Sequence, residues 1–193
     1  MSHESGLIVL VDNVIKTLEA ITELASHNVM VGIPDEKAGR REGAISNAAL
    51  GYIHENGAPE ANIPARPFLL PGVKSVQTEL NEGFKKAGEL ALDGKKEGVM
   101  RQFHRIGLLA QNAVRKKISE GIPPPLAPST IKGRMRRIKG KARKAKIDAA
   151  IAAGTPFSKQ GGAEGIFTPL LVTGQLRNAI TYVIRAVGGG HHH

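Results

Sequence analysis

The chain has 193 residues, no cysteine, no tryptophan and a formal net charge of +10 at neutral pH. That length suits one domain with insertions, and the missing cysteines exclude disulfides, thiolate metal sites and cysteine nucleophiles together. Apolar residues make up 41% and aromatics only 4%, so the core has to be built from Ile, Leu, Val and Ala, which suits helices packed on a small sheet.

In chain order, Gly6 to Val11 is expected as a buried strand, with Asp12 capping the helix that follows. Val11, Val14, Ile15, Leu18, Ile21 and Ala25 recur at three- and four-residue spacing, while Lys16, Glu19 and Glu23 fall on the other face, which predicts an amphipathic helix of about four turns. Asn28 to Ile33 is a predicted β-strand stopped by Pro34, and Asp35 to Gly43 an exposed loop. Ala44 to Glu55 is predicted helical, with Asn56-Gly57 as its left-handed stop. Ile63-Pro64-Ala65-Arg66-Pro67-Phe68 is a stiff extended segment, because each proline holds the residue before it out of helical geometry. Helices are expected from about Val73 to Leu92 and from Glu97 to Glu120, the latter with Ile106, Leu109, Ala110, Ala113 and Ile118 on a buried stripe. Gly121 ends it. Pro123-Pro124-Pro125 predicts a short polyproline stretch, and Pro128-Ser129-Thr130 a helix start. Ala142 to Ala153 has helical composition and Gly154 to Gly165 that of a flexible loop. Thr173 is placed to cap a short helix over Gly174 to Ala179, and Ile180 to Val187 closes the chain as a strand with Ile180, Tyr182 and Ile184 on one face. The final Gly188 to His193 is a disordered or tag-like tail outside the domain.

Five local strings, in this order, resemble a family of small tailed-bacteriophage proteins of virion morphogenesis, described as neck, head-to-tail joining or tail-completion proteins. They are Val29-Met30-Val31-Gly32-Ile33, Ile53-His54-Glu55-Asn56-Gly57-Ala58, Ile63-Pro64-Ala65-Arg66-Pro67-Phe68, Pro124-Pro125-Leu126-Ala127-Pro128-Ser129-Thr130-Ile131 and Pro169-Leu170-Leu171-Val172-Thr173-Gly174-Gln175-Leu176. Any one of them can arise by chance; the order makes the match specific. The resemblance implies an α+β subunit, without enzyme activity, that assembles into a cyclic homo-oligomer, a hexamer or dodecamer, at the head-to-tail junction. Its implied neighbours are connector and tail proteins, and its location is the virion neck, assembled in the host cytoplasm. Members of the family pass from the Thr-Ile-Lys element to the Pro-Leu…Thr-Gly element within a handful of residues. Here an insert, Gly133 to Thr168, intervenes.

That insert holds most of the basic excess. Nine of the 27 basic residues lie between Lys132 and Lys146 with no acid among them, leaving 18 against 17 acids elsewhere. Lys132, Arg134, Arg136, Arg137, Lys139, Lys141, Arg143, Lys144 and Lys146 are suited to neutralising phosphates. The same charges serve equally to dock on an acidic neighbour, and as a solvated helix they do neither. No aromatic residue interleaves them, so any nucleic-acid contact they make is to the backbone of DNA in the channel, without base recognition.

The remaining chemistry is sparse. His3, His27, His54 and His104 have no ligand spacing, so no metal and no cofactor is expected. Ser129, Thr130 and Ser158 have no linked histidine or carboxylate, and Asp35 and Glu36 fit a solvated loop, so no catalytic residue is assigned. Gly161 to Gly165 lacks the Lys-Ser/Thr ending of a phosphate loop. Arg66, Pro67 and Phe68 are candidate interface anchors, a guanidinium and an aromatic presented from a stiff segment, with a core Phe beneath a surface Arg as the equal alternative. Pro124, Pro125, Thr173, Gly174 and Leu176 join them as candidate contacts. No run of about 18 apolar residues occurs, and Met1-Ser2-His3-Glu4 lacks a signal-peptide start, so the expectation is a soluble chain with no membrane partner. The whole reads as α+β, with a small, mainly antiparallel sheet, several helices, a basic helical insert and a flexible loop. Its function is expected to be structural; the rival is a non-specific DNA-binding protein acting through 132–146.

Overall fold

A computed structural model of the chain describes residues 6–37, 45–136 and 174–187, with the single positions 140 and 145. The fold is α+β. Its elements are α1 (Gly6–Ala25), β1 (His27–Gly32), a 3-10 turn (Asp35–Lys37), α2 (Asn47–Asn56), a second 3-10 turn (Pro59–Ala61), α3 (Leu69–Lys74), α4 (Gln77–Leu92), α5 (Lys96–Glu120), α6 (Pro128–Arg136), α7 (Gln175–Ala179) and β2 (Thr181–Ala186). Among the described residues the sheet has two strands, β1 and β2, paired antiparallel.

The predicted strand over Gly6 to Val11 is absent: those residues are the first turns of α1, and Asp12 lies inside that helix rather than at its cap. A short run of Leu, Ile and Val fits either a strand or a buried helix turn. Nothing between Val11 and Asn13 breaks the chain, so the periodicity that begins at Val11 extends backwards. The expected helix from Val73 to Leu92 is in fact two, α3 and α4, separated at Ser75 and Val76. Pro71 falls in the first turn of α3, where its missing N–H is not needed. The Pro123–Pro124 peptide is cis where a polyproline stretch is expected. At α7 the cap position is held by Gly174, in the left-handed region at φ 68°. The segments 38–44, 137–139, 141–144 and 146–173 lie outside the described residues, and with them the predicted insert helix, the glycine-rich loop and Thr173.

The chain makes two compact units from interleaved segments. The described parts of the first are residues 6–31, 74–112 and 181–187, and those of the second 32–37, 45–73, 113–136 and 174–180. In the first unit α1 packs on α4, with Thr17 Oγ1 donating to Leu92 O at 3.4 Å. Val99, Phe103, Ile106 and Ala110 of α5 are buried at three- and four-residue spacing, and Phe103 meets Phe84 edge-on at 6.2 Å. Two strands alone are marginal in water, and β2 is tied to α5. Gln111 Oε1 accepts from Thr181 Oγ1 at 2.9 Å and from the Tyr182 amide at 3.1 Å. Gly107 leaves room for the Tyr182 ring, which lies where a β-carbon would sit.

In the second unit Ala113, Val114 and Ile118 of α5 are buried, together with Phe68, Ile122, Leu176, Ala179 and Ile180. Arg115 clasps the residue that caps the end of α7, its Nε and Nη2 both donating to Ile180 O at 3.0 and 2.7 Å.

Candidate functional site

Described parts of all five strings, residues 32–33, 53–58, 63–68, 124–131 and 174–176, fall in the second unit. Helix α2 starts at Ser46, whose side chain accepts from the Ala49 amide at 3.1 Å, and stops at Gly57, φ 79°. A β-carbon at Gly57 would lie 2.8 Å from the Ala65 amide nitrogen, so only glycine lets the returning segment 63–68 pass this close. That segment is pinned to α2: the Arg66 amide donates to His54 O at 2.6 Å. One residue before the end of α2, Glu55 then caps α3. Its Oε2 accepts from the Phe68 and Leu69 amides at 2.8 and 3.0 Å, and its Oε1 from the Leu70 amide at 3.3 Å. A carboxylate there satisfies otherwise unpaired helix N–H groups and complements the helix dipole.

Arg66 is only 6% exposed. Its Nε donates to Pro124 O at 2.9 Å and its Nη2 to Pro125 O at 3.2 Å, so two prolines that carry no N–H of their own offer carbonyls to the guanidinium. Burial pulls the Arg66 pKa below the ordinary guanidinium value. Gly51 marks the other junction. A β-carbon on it would meet Ile33 Cδ1 at 3.0 Å, Leu176 Cδ1 at 3.6 Å and Phe68 Cζ at 3.8 Å. Five strings scattered along the chain are therefore neighbours: Ile33, α2, Arg66–Phe68, Pro124–Pro125 and Leu176.

This geometry assigns the candidate interface residues individually. Arg66, Phe68 and Leu176 are buried in the framework, so the expectation of a displayed Arg-Phe anchor gives way to internal ties. Pro67, Pro124 and Pro125 are exposed, and Gly174 is half-buried. Of the basic candidates, Lys132 and Arg136 are exposed on α6 and Arg134 belongs to the same helix. Arg137, Lys139, Lys141, Arg143, Lys144 and Lys146 lie outside the described residues. Beside the framework runs an apolar groove of about 340 Å³, lined by Ile33, Gly51, Tyr52, Phe68, Leu69 and Ile180, with the Glu55 carboxylate at its edge. That carboxylate is already engaged by the α3 amides.

Sequence reasoning does not single out Glu55 or Gly51. A lone glycine inside a helical pattern is a signal of close packing, and Gly51 carries it; Glu55 has no local signal, since its partners lie 13 to 15 residues on. Among the described residues, no group of three or more His, Cys, Asp or Glu is placed to hold a metal ion, and no helix is long and apolar enough to cross a membrane. Comparison of the chain with protein-family models, with curated proteins and with solved structures gives no match.

Proposed function

We propose that this chain is a structural subunit of a tailed-phage virion, a ring-forming neck or tail-completion protein of the head-to-tail junction. One observation supports it above the others. The strings that resemble the family are spread along the chain, yet Ile33, Phe68 and Leu176 converge on Gly51, two residues before the second string, and Arg66 reaches Pro124 and Pro125. Chance matches have no reason to share a packing junction, whereas strings inherited with a fold do. On this reading the second unit is the common subunit framework, and contacts to neighbouring rings come from surfaces outside it.

Electron microscopy of the purified protein and of particles containing it tests the reading. A closed cyclic oligomer, six-fold or twelve-fold, is expected, and the same density should occupy the joint between portal and tail. A monomer in both settings would falsify the proposal.

A second reading, non-specific DNA binding, is favoured by one feature: nine cations between Lys132 and Lys146 without an intervening acid. Its signature is affinity for duplex DNA that falls steeply with salt, roughly one order of magnitude in affinity per order of salt for each phosphate neutralised. Deleting 133–168 abolishes that affinity if this reading holds. If the segment is an assembly arm, the deletion leaves weak DNA affinity unchanged and impairs particle formation.

A further inference from the structure

Helix α1 carries two different rows of residues. The first faces α4: Ala20 is fully buried and Thr17 bonds to Leu92 O. Leu18 is one residue, about 100°, further round the helix, and it belongs to the second row. Val11, Val14, Leu18, Ile21 and Ala25 are spaced three, four, three and four residues apart, with Ile15 alongside. The five large members are between 37% and 58% exposed. An apolar row this regular, left open to water, is more than the scattered exposure normal for a protein surface.

We propose that this row is a self-association seam, in which α1 of one copy packs antiparallel on α1 of a second copy about a two-fold axis beside Leu18. Alternating three- and four-residue spacing is the pattern by which one helix receives another at a shallow crossing angle, so the occupant is a helix. No charged side chain belongs to the row; Lys16, Glu19 and Glu23 project elsewhere, which suits a partner seam that is itself uncharged, as the second copy's is. Antiparallel pairing sets Ala25 against Val11, Val14 against Ile21 and Leu18 against itself, so that the smallest residue of the row always faces a larger one. Parallel pairing stacks Ala25 on Ala25 and Ile21 on Ile21, a void followed by a bulge, and aligns the two helix dipoles. Five half-exposed side chains leave roughly 400 Å² of apolar surface. Two such patches with their flanks remove about 1,000 Å² from water, the lower bound for a specific contact between proteins. The pairing is therefore weak in isolation and effective within a larger assembly. It rests on α1 alone and holds whether or not the virion reading does.

The chain has no cysteine, so single introduced cysteines report contacts cleanly. Leu18→Cys, Val11→Cys, Ala25→Cys and, as an exposed control on α5, Ser119→Cys are made in the full chain and oxidised mildly at tens of micromolar. Leu18→Cys is expected to form disulfide dimers at least tenfold faster than Ser119→Cys. Val11→Cys alone should stay at the control rate, and Val11→Cys mixed with Ala25→Cys should give the mixed dimer. Leu18→Cys linking no faster than the control, or Val11→Cys linking to itself, overturns the proposal. Leu18→Glu/Ile21→Glu, with helical content unchanged by circular dichroism, should raise the concentration for half-association at least tenfold; unchanged association also overturns it. Intact rings without Leu18 crosslinks sink the α1 seam and spare the virion reading, and crosslinked dimers without rings do the reverse.

Discussion

Arg66 illustrates how a charged side chain becomes internal framework. A buried guanidinium is costly unless its donors are satisfied, and here Pro124 O and Pro125 O accept at 2.9 and 3.2 Å. Replacing it by alanine leaves both carbonyls without their donor, and Arg66→Ala should lose about 2 to 4 kcal/mol of stability, read from urea denaturation. Arg66→Lys keeps the charge but lacks the planar fork, so about 1 to 2 kcal/mol should be lost. Burial lowers the Arg66 pKa, so the unfolded chain holds that proton more tightly and stability would rise, not fall, and only as pH approaches the guanidinium range. The residue stays charged in folded and unfolded chains at neutral pH, so its contribution should be flat between about pH 5 and 9. Read alone, the Ala65-Arg66-Pro67-Phe68 string works outward as readily as inward. Sequence shows that a stiff segment presents Arg66; which side faces solvent depends on the carbonyls 58 and 59 residues away.

At the scale of elements, the decisive contacts are those where backbone meets backbone. A β-carbon on Gly72 would lie 2.7 Å from Val114 Cα, so α3 rests directly on the α5 main chain, and neither can give way cheaply. Gly72→Ala should therefore cost about 2 to 3 kcal/mol in the same unfolding assay. Gly88, in α4, has open space where its β-carbon would be, and Gly88→Ala should instead stabilise the protein by about 0.5 to 1 kcal/mol through higher helix propensity. A result in which the two substitutions behave alike would contradict this packing. The local rules recovered β1, the end of α2 at Gly57 and nearly all of α5, because strand composition, a left-handed glycine and a long apolar period are each written within a few residues. The start of α3 was not legible, since its cap is Glu55, well back along the chain. Nor was the character of the first turns of α1, where periodicity is too short to separate helix from strand.

For the whole molecule, the sequence revealed the α+β class and the ordered strings, but not the division into two units, which depends on contacts among segments far apart. Both units take their last described pieces from 174–187: α7 and Ile180 enter the second, β2 the first. β1 has β2 as its partner, and Gly51 has Leu176 beside it. A chain stopped after residue 173 should consequently lose protection in both units, with amides of β1 and α2 exchanging with solvent far faster than in the full chain; slow exchange retained in either would show that unit to be self-sufficient. During synthesis the same arrangement imposes an order of events. Until residues 174–187 have left the ribosome, β1 has no strand to pair with and the Leu176 side of the framework is open, so neither unit can be completed before they emerge. The apolar row of α1 therefore leaves the ribosome well before the segment that finishes either unit, an interval in which a chaperone, rather than a sister subunit, is the partner it needs.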